Sequence, residues 1–230
     1  MRTLLSFSIL MAVKVFSRIF YKIEVNWINS EPCFDKVRLI AFLNHTSLYE
    51  VLYMGILPNA FLWRLARKLV APGADKTLDR PLVGFFWKIL SPGMISITRR
   101  RDKSWVRFMQ AVHDRSVIAM ALEGRMKRTT GLDLNGKKMT VRSGVADIIE
   151  ALSDGNILMA YSGGLHHVQV PGQKFPKIFK TLKLNVELLD IDEYKSKFNT
   201  EGIQWKRDIV ADMQERLEKN CPQADSTPKT

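Results

Sequence analysis

The sequence predicts an α/β protein with a central mixed, largely parallel sheet flanked by helices. Three observations carry this reading. Strand-like and helix-like segments alternate along the 230 residues. The strand-like segments, such as 37–43 and 117–122, are near-continuous apolar runs rather than apolar–polar alternations, as expected of strands covered on both faces. The hydrophobic content of 46% is enough for a substantial core, and no low-complexity tract interrupts it.

Taken in order, a first helix is expected over about 4–19. It contains an uncharged, mostly apolar run at 3–13 that is too short by itself to span a bilayer. No small-residue cleavage site precedes the next charges, which argues against a cleaved secretory signal. Lys14, Arg18 and Lys22 follow at spacings of four, on one helical face, with Ala12, Phe16, Ile19, Phe20 and Ile23 largely elsewhere. The alternative is a helix packed into the core. The balance of apolar density and charge predicts an amphipathic, membrane-associating helix that lies in the interface with its lysines among headgroups.

A strand-like run at 20–27 leads to a turn at Ser30-Glu31-Pro32, and 37–43 reads as a short buried strand. A helix over 47–57 is stopped by Pro58. The segment 60–69 sets Arg64, Arg67 and Lys68 against Phe61, Leu65 and Leu69, an amphipathic helix pattern. Pro72-Gly73 reads as a break in the chain. A helix over 81–90 opens with proline in its first turn and carries Phe85, Phe86 and Trp87 in a row. At least one of these aromatics faces either lipid or an acyl chain, unless all three pack in the core. Further strands are expected at 94–98, 117–122, 156–161 and 184–189, and helices at 104–115, 141–153 and 204–219. The tail from Cys221 onward is polar and is expected to be loose. The expected organisation is an N-terminal helix at 1–19, a single domain at 20–220 and a tail at 221–230, with no internal repeat.

The formal net charge is +12 and the sequence pI about 9.8, so the surface calls for an anionic partner. Nucleic acid, anionic headgroups and phosphorylated substrates all qualify. Few aromatics interleave with the basic runs, which disfavours nucleic acid and leaves anionic membrane lipids or a phosphate-bearing substrate. Cys33 and Cys221 have no metal-ligand spacing and suggest free thiols in a reducing compartment.

In sheets of this kind, sites gather beyond the carboxyl ends of strands. His45, Arg99 and Glu123 each directly follow an expected strand. His45 and Glu50 are five residues apart, so on one continuous helix they would diverge. They can meet if His45 lies before the helix and Glu50 in its first turn, and Ser47-x-x-Glu50 is a capping box that supplies this geometry. This geometry lets Glu50 serve as a helix cap, as an orienting group for His45, or as both. A neutral imidazole beside such a carboxylate is stabilised once it takes a proton, which suits a general base.

Glu123-Gly124-Arg125 combines a carboxylate, a glycine that permits a tight turn and a guanidinium matched to phosphate. Glu123 is expected to accept from a substrate hydroxyl or to hold Arg125. A solvated loop with a surface ion pair is the plain alternative. Of Arg99-Arg100-Arg101, one is expected to turn into the site. His166-His167 point different ways and have no ligand-spaced partners, so no metal is expected. Ser162, before Gly163-Gly164, makes only a weak nucleophile elbow because no histidine lies well downstream.

The order of these motifs resembles the glycerolipid acyltransferase family typified by 1-acylglycerol-3-phosphate acyltransferases, over roughly residues 20–190. That family carries Asn-His-x-Ser-x-x-Asp, Gly-x-Ile-x-Ile-x-Arg, Pro-Glu-Gly-Thr-Arg and a Pro-containing strand. Here Asn44-His45-Thr46-Ser47-Leu48-Tyr49-Glu50 is similar to the first, with glutamate in place of aspartate. Gly93-Met94-Ile95-Ser96-Ile97-Thr98-Arg99 is similar to the second. Leu122-Glu123-Gly124-Arg125 is similar in part to the third, and 157–161 lacks the proline of the fourth. The Glu-Gly-Arg form looks like the acyltransferase half of bifunctional enzymes that reacylate lysophospholipids. Secondary acyltransferases of lipid A share the glutamate of the first motif.

The resemblance implies an O-acyltransferase that moves a fatty acyl group from acyl-CoA or acyl carrier protein to a lysophospholipid hydroxyl, with no bound cofactor. His45 and Glu50 would be catalytic, and Asn44, Arg99, Glu123, Gly124 and Arg125 would bind substrate. The expected location is the cytoplasmic face of the cell membrane, peripheral or monotopic. The competing expectation is a basic peripheral membrane-binding protein with a degenerate site, or acyl transfer to a different lipid acceptor.

Overall fold

The computed structural model describes residues 2–29, 31–98, 100–173 and 175–223. Helix α1 (Arg2–Phe20) runs directly into β1 (Tyr21–Trp27). After β2 (Val37–Leu43) come a 3-10 helix (Leu48–Ile56), α2 (Asn59–Lys68), β3 (Leu69–Ala74), α3 (Asp75–Leu78) and α4 (Pro81–Leu90). Then follow β4 (Gly93–Ile97), α5 (Lys103–Gln110), β5 (Val117–Ala121), α6 (Gly144–Ala151) and β6 (Asn156–Ser162). The chain ends through β7 (Lys180–Asp190), α7 (Ile191–Ser196) and α8 (Gly202–Asn220).

The seven strands form one sheet in the order β1-β7-β6-β2-β5-β3-β4. Among these described strands the β6–β7 pair is antiparallel and every other neighbouring pair is parallel. The expected mixed, largely parallel sheet is therefore the one that forms. Successive side chains on each strand go to opposite faces. Leu39, Ala41 and Leu43 of β2 join Ile157, Met159 and Tyr161 of β6 under α5, α6 and α8. Ile40 and Phe42 join Leu158, Ala160, Leu184 and Val186 under α1, the 3-10 helix and α2. Burial on both faces explains why these strands read as unbroken apolar runs.

Three departures from the sequence reading have local causes. The Pro72-Gly73 segment is strand, because Ala71, Pro72 and Gly73 pair with Met94, Ile95 and Ser96 of β4. Its pairing with β5 stops at Leu69 and Val70, so the proline's missing N–H falls beyond that ladder. The helix expected over 104–115 stops at Gln110. A turn replaces its last residues, with the Arg115 N–H donating to His113 Nδ1 and Ser116 Oγ donating to the His113 carbonyl. β7 is longer than 184–189, since its first half carries Lys180, Lys183 and Asn185 on the less buried positions.

Helix α1 corrects the expected placement of its charges. Its inward stripe is Ser6, Leu10, Lys14 and Ser17. Ser6 Oγ donates to the Leu90 carbonyl (2.8 Å) and Ser17 Oγ to the Leu52 carbonyl (2.6 Å). Lys14 Nζ donates to the Leu57 carbonyl (2.7 Å) and Asn59 Oδ1 (2.6 Å), and Arg18 Nε to the Gly55 carbonyl (2.8 Å). Lys14 thus points into the protein rather than to headgroups, and Lys22 lies on β1. Close approach is possible because Gly55 has no side chain; a Cβ there would lie 2.6 Å from Ile23 Cδ1 and 2.9 Å from Ser17 Oγ. The outward face holds Leu4, Leu5, Val15, Phe16 and Ile19, all exposed. Next to α1, α4 leaves Phe85 67% exposed. The 19-residue helix is long and apolar enough to cross a membrane, yet its polar stripe fastens it along the body of the protein.

Candidate active site

β2 and β5 are parallel neighbours, with Phe42 opposite Ala121. The turns that follow them, at Asn44-His45 and Glu123-Gly124, therefore lie side by side at the carboxyl end of the sheet. Asn44 turns the chain with φ +61°, a conformation asparagine tolerates better than most residues. Its amide is used at both ends: Nδ2 donates to the Ser162 carbonyl (2.8 Å), and Oδ1 accepts from Lys127 Nζ (2.9 Å).

The His45 backbone is held twice. Its N–H donates to Glu123 Oε2 (2.9 Å), and its carbonyl accepts from the Lys127 N–H (2.7 Å). Its ring Nδ1 makes a direct hydrogen bond to Glu50 Oε2. The other Glu50 oxygen, Oε1, accepts from the N–H groups of Thr46 (2.6 Å) and Ser47 (3.2 Å). Ser47 Oγ accepts from the Tyr49 N–H (3.2 Å) and donates to Gln169 Oε1 (2.8 Å). The capping box and the His–carboxylate pair thus coexist, one oxygen serving each. The five-residue spacing works because His45 precedes the 3-10 helix and Glu50 lies in its first turn. The pair is half-buried, with side chains 19% and 10% exposed.

Glu123 is wholly buried, and among the described residues its Oε1 has no hydrogen-bond partner. Burial pushes its carboxyl above the usual range, against the opposing pull of the His45 N–H and Lys127. Gly124 turns with φ +67°, which a side chain would strain. Arg125 pairs with Asp133 rather than with Glu123. Asp133 is buried, and its carboxyl is held below the usual range by the Lys137 N–H first and by Arg125 after it. Arg99 lies outside the described residues. Of its neighbours, Arg101 turns to α6, where it pairs with Asp147 (2.8 Å).

A cavity of about 390 Å³ opens beside His45 and Glu50, within the range of ligand pockets. It crosses the sheet beneath the 3-10 helix and α4, from Met94 and Ile97 of β4 to Trp27 of β1. Its floor exists because the strands carry small residues there: Ala71 and Gly73 on β3, Ala119 and Ala121 on β5, and Ala160 on β6. The lining is almost entirely apolar; His45, Glu50 and Arg125 are its chief polar members. Trp87, one of the three aromatics on α4, lines it, whereas Phe85 faces outward.

No protein-family model and no curated protein matches the chain. Its fold does have a match. It is similar to the crystal structure of the 1-acyl-sn-glycerophosphate (LPA) acyltransferase PlsC from Thermotoga maritima, with a TM-score of 0.55 and 15% sequence identity. The similarity covers 93% of this chain and 81% of that one. The shared architecture is thus nearly complete at an identity that speaks for the fold alone.

Two residues around the site, Arg142 and Gln169, were not singled out by the sequence. Arg142 is exposed and lies beside Gly124, with its Cγ 3.6 Å from where a Cβ there would sit. Its Nε donates to the Glu123 carbonyl (3.4 Å), and it has no acidic partner among the described residues. The loop after β6 clasps the His45 turn: the Leu165 N–H donates to Thr46 Oγ1 (2.8 Å), and His166 Nε2 bonds the Lys127 carbonyl (2.9 Å). His167 bonds the Thr181 carbonyl instead. Ser162 Oγ is buried against the Tyr53 hydroxyl (3.1 Å) and the Gly164 N–H (3.0 Å). A lone arginine before a helix and a glutamine after a histidine pair carry no sequence signal; only proximity reveals them.

Proposed function

We propose that this protein is an O-acyltransferase that moves a fatty acyl group from an acyl thioester to the hydroxyl of a lysophospholipid such as 1-acylglycerol-3-phosphate. The observation that carries the reading is the His45–Glu50 pair at the mouth of a long apolar cavity. The fold likeness to a PlsC acyltransferase supports it.

In this reading, Glu50 accepts from Nδ1–H of His45, and Nε2 is the nitrogen that takes the acceptor's proton. The acceptor oxygen attacks the thioester carbonyl, the new C–O bond forms and the C–S bond breaks. His45 then returns the proton to the leaving thiolate. General-base help of this kind is worth ~10²–10⁴ in rate. The acyl chain lies in the cavity. Arg125 and Arg142 face the acceptor phosphate, with Gly124 allowing close approach; the motif resemblance alone assigns Arg99 to the same phosphate. Glu123 and Asn44 act through the His45 turn that they hold. Acyl-CoA or acyl carrier protein is the donor, and no bound cofactor takes part.

The same reading places the protein at the cytoplasmic membrane surface. Support comes from the net charge of +12 and the outward apolar face of α1. Residues 20–220 form the catalytic unit and 1–19 its attachment. Lipid profiling of cells lacking the protein tests the reading. A specific lysophospholipid should accumulate and disappear on complementation; an unchanged lysolipid profile would count against it.

A further inference from the structure

We propose that residues 175–179 are a second membrane contact, which inserts aromatic side chains into an anionic bilayer beside the outward face of α1. This extends the membrane part of the reading above, and it stands or falls apart from the acyl-transfer chemistry.

Phe175 is 81% exposed and Phe179 72%, with Ile178 also exposed between them. Large apolar side chains this bare and this close together mark a contact surface. Phe179 reaches its position at a conformational cost: its φ is +56°, an outlier for an aromatic residue. The strain is held in place by its N–H, which donates to the Phe20 carbonyl (2.7 Å), and by the pairing of Lys180 with Tyr21 that follows. The result is a ring turned outward at the end of α1. The Phe179 and Phe20 rings are 5.8 Å apart, and Phe20 and Phe16 4.7 Å apart, so the loop continues the apolar face of the helix.

The chemistry of the surroundings points to lipid. Lys177 and Lys180 are exposed within the same segment, and neither has an acidic partner among the described residues. Aromatic rings flanked by lysines suit the boundary between acyl chains and anionic headgroups. A second copy of this chain would instead bring these lysines and the +12 charge against their own kind. The loop's other end clasps the His45 turn through Leu165 and His166. One loop therefore joins the bilayer contact to the site.

The test uses the full chain and vesicles of phosphatidylcholine with or without phosphatidylglycerol. Phe175→Ser combined with Phe179→Asn removes both rings, and asparagine tolerates the backbone at 179. Vesicle binding should weaken roughly tenfold or more with melting temperature unchanged. Lys177→Glu with Lys180→Glu should abolish most of the gain from phosphatidylglycerol. As a second measurement, Phe179→Trp should show an emission blue shift on adding vesicles. Wild-type binding by the double phenylalanine variant, or no blue shift, would overturn the proposal. So would a wild-type dimer that the same variant converts to monomer, since the patch would then cover a second copy.

Discussion

The backbone N–H of His45 donates to Glu123 Oε2 across 78 residues of sequence, joining the turns after two adjacent parallel strands. The fixed geometry of His45 thus depends on a carboxyl that is wholly buried and whose second oxygen finds no partner among the described residues.

That carboxyl should be visible in the pH dependence of stability. Burial raises its pKa, so the folded state holds the proton more tightly than the unfolded one. Stability contributed by the protonated form is present below the ordinary carboxyl range and is lost as pH rises through the raised value. Glu123→Gln removes this loss. Its melting temperature relative to wild type should climb from acid to neutral pH, and the two should converge in acid. Parallel curves would show that Glu123 does not titrate in this way.

Glu50→Gln separates the capping role of Glu50 from its role toward His45. A glutamine oxygen can still accept from Thr46 and Ser47, so the 3-10 helix should stay capped and the melting temperature change little. Its NH₂ group, however, would face Nδ1 and enforce the opposite tautomer. Acyl transfer should drop by ~10²–10⁴. Full activity would reduce Glu50 to a cap.

Arg142→Ala tests the guanidinium beside Gly124. The acceptor KM should rise about fivefold to tenfold with kcat little changed, because an exposed cation contributes mainly to binding. An unchanged KM would remove Arg142 from the acceptor site. Arg125→Ala should behave differently and also lower the melting temperature, since it leaves Asp133 Oδ2 without its ion pair while Oδ1 keeps the Asn135 and Lys137 N–H groups.

The strands at 37–43 and 117–122 and the histidine turn between β2 and the 3-10 helix were legible because each rests on local patterning: an apolar run, then a capping box. β3 was not, because Pro72 and Gly73 are strand-breaking in isolation and are tolerated only by pairing with β4. The inward turn of Lys14 was also hidden. Its acceptors, the Leu57 carbonyl and Asn59 Oδ1, lie more than forty residues away, and helical spacing alone cannot show which face is covered. Asp133 as the partner of Arg125, and Arg142 beside Gly124, likewise depend on where the loop after β5 returns. The cavity could be seen only once Ala71, Gly73, Ala119 and Ala121 were placed on one face of adjacent strands.

The cavity floor offers a test of what it holds. Ala119→Leu projects a larger side chain into the channel. Preference for long over short acyl donors should fall about tenfold, with short-chain turnover preserved. Equal loss for all chain lengths would mean that the acyl group lies elsewhere.

The most direct test of the central claim is acyl transfer by the purified protein to lysophosphatidate, with acyl-CoA and acyl carrier protein each supplied as donor, compared with His45→Ala. Wild type should form the diacyl product with at least one donor, and the variant should be slower by ~10²–10⁴ at unchanged melting temperature. Equal rates in the two proteins, or no product from wild type with either donor and any lysophospholipid, would contradict the account and leave a basic membrane-binding protein in its place.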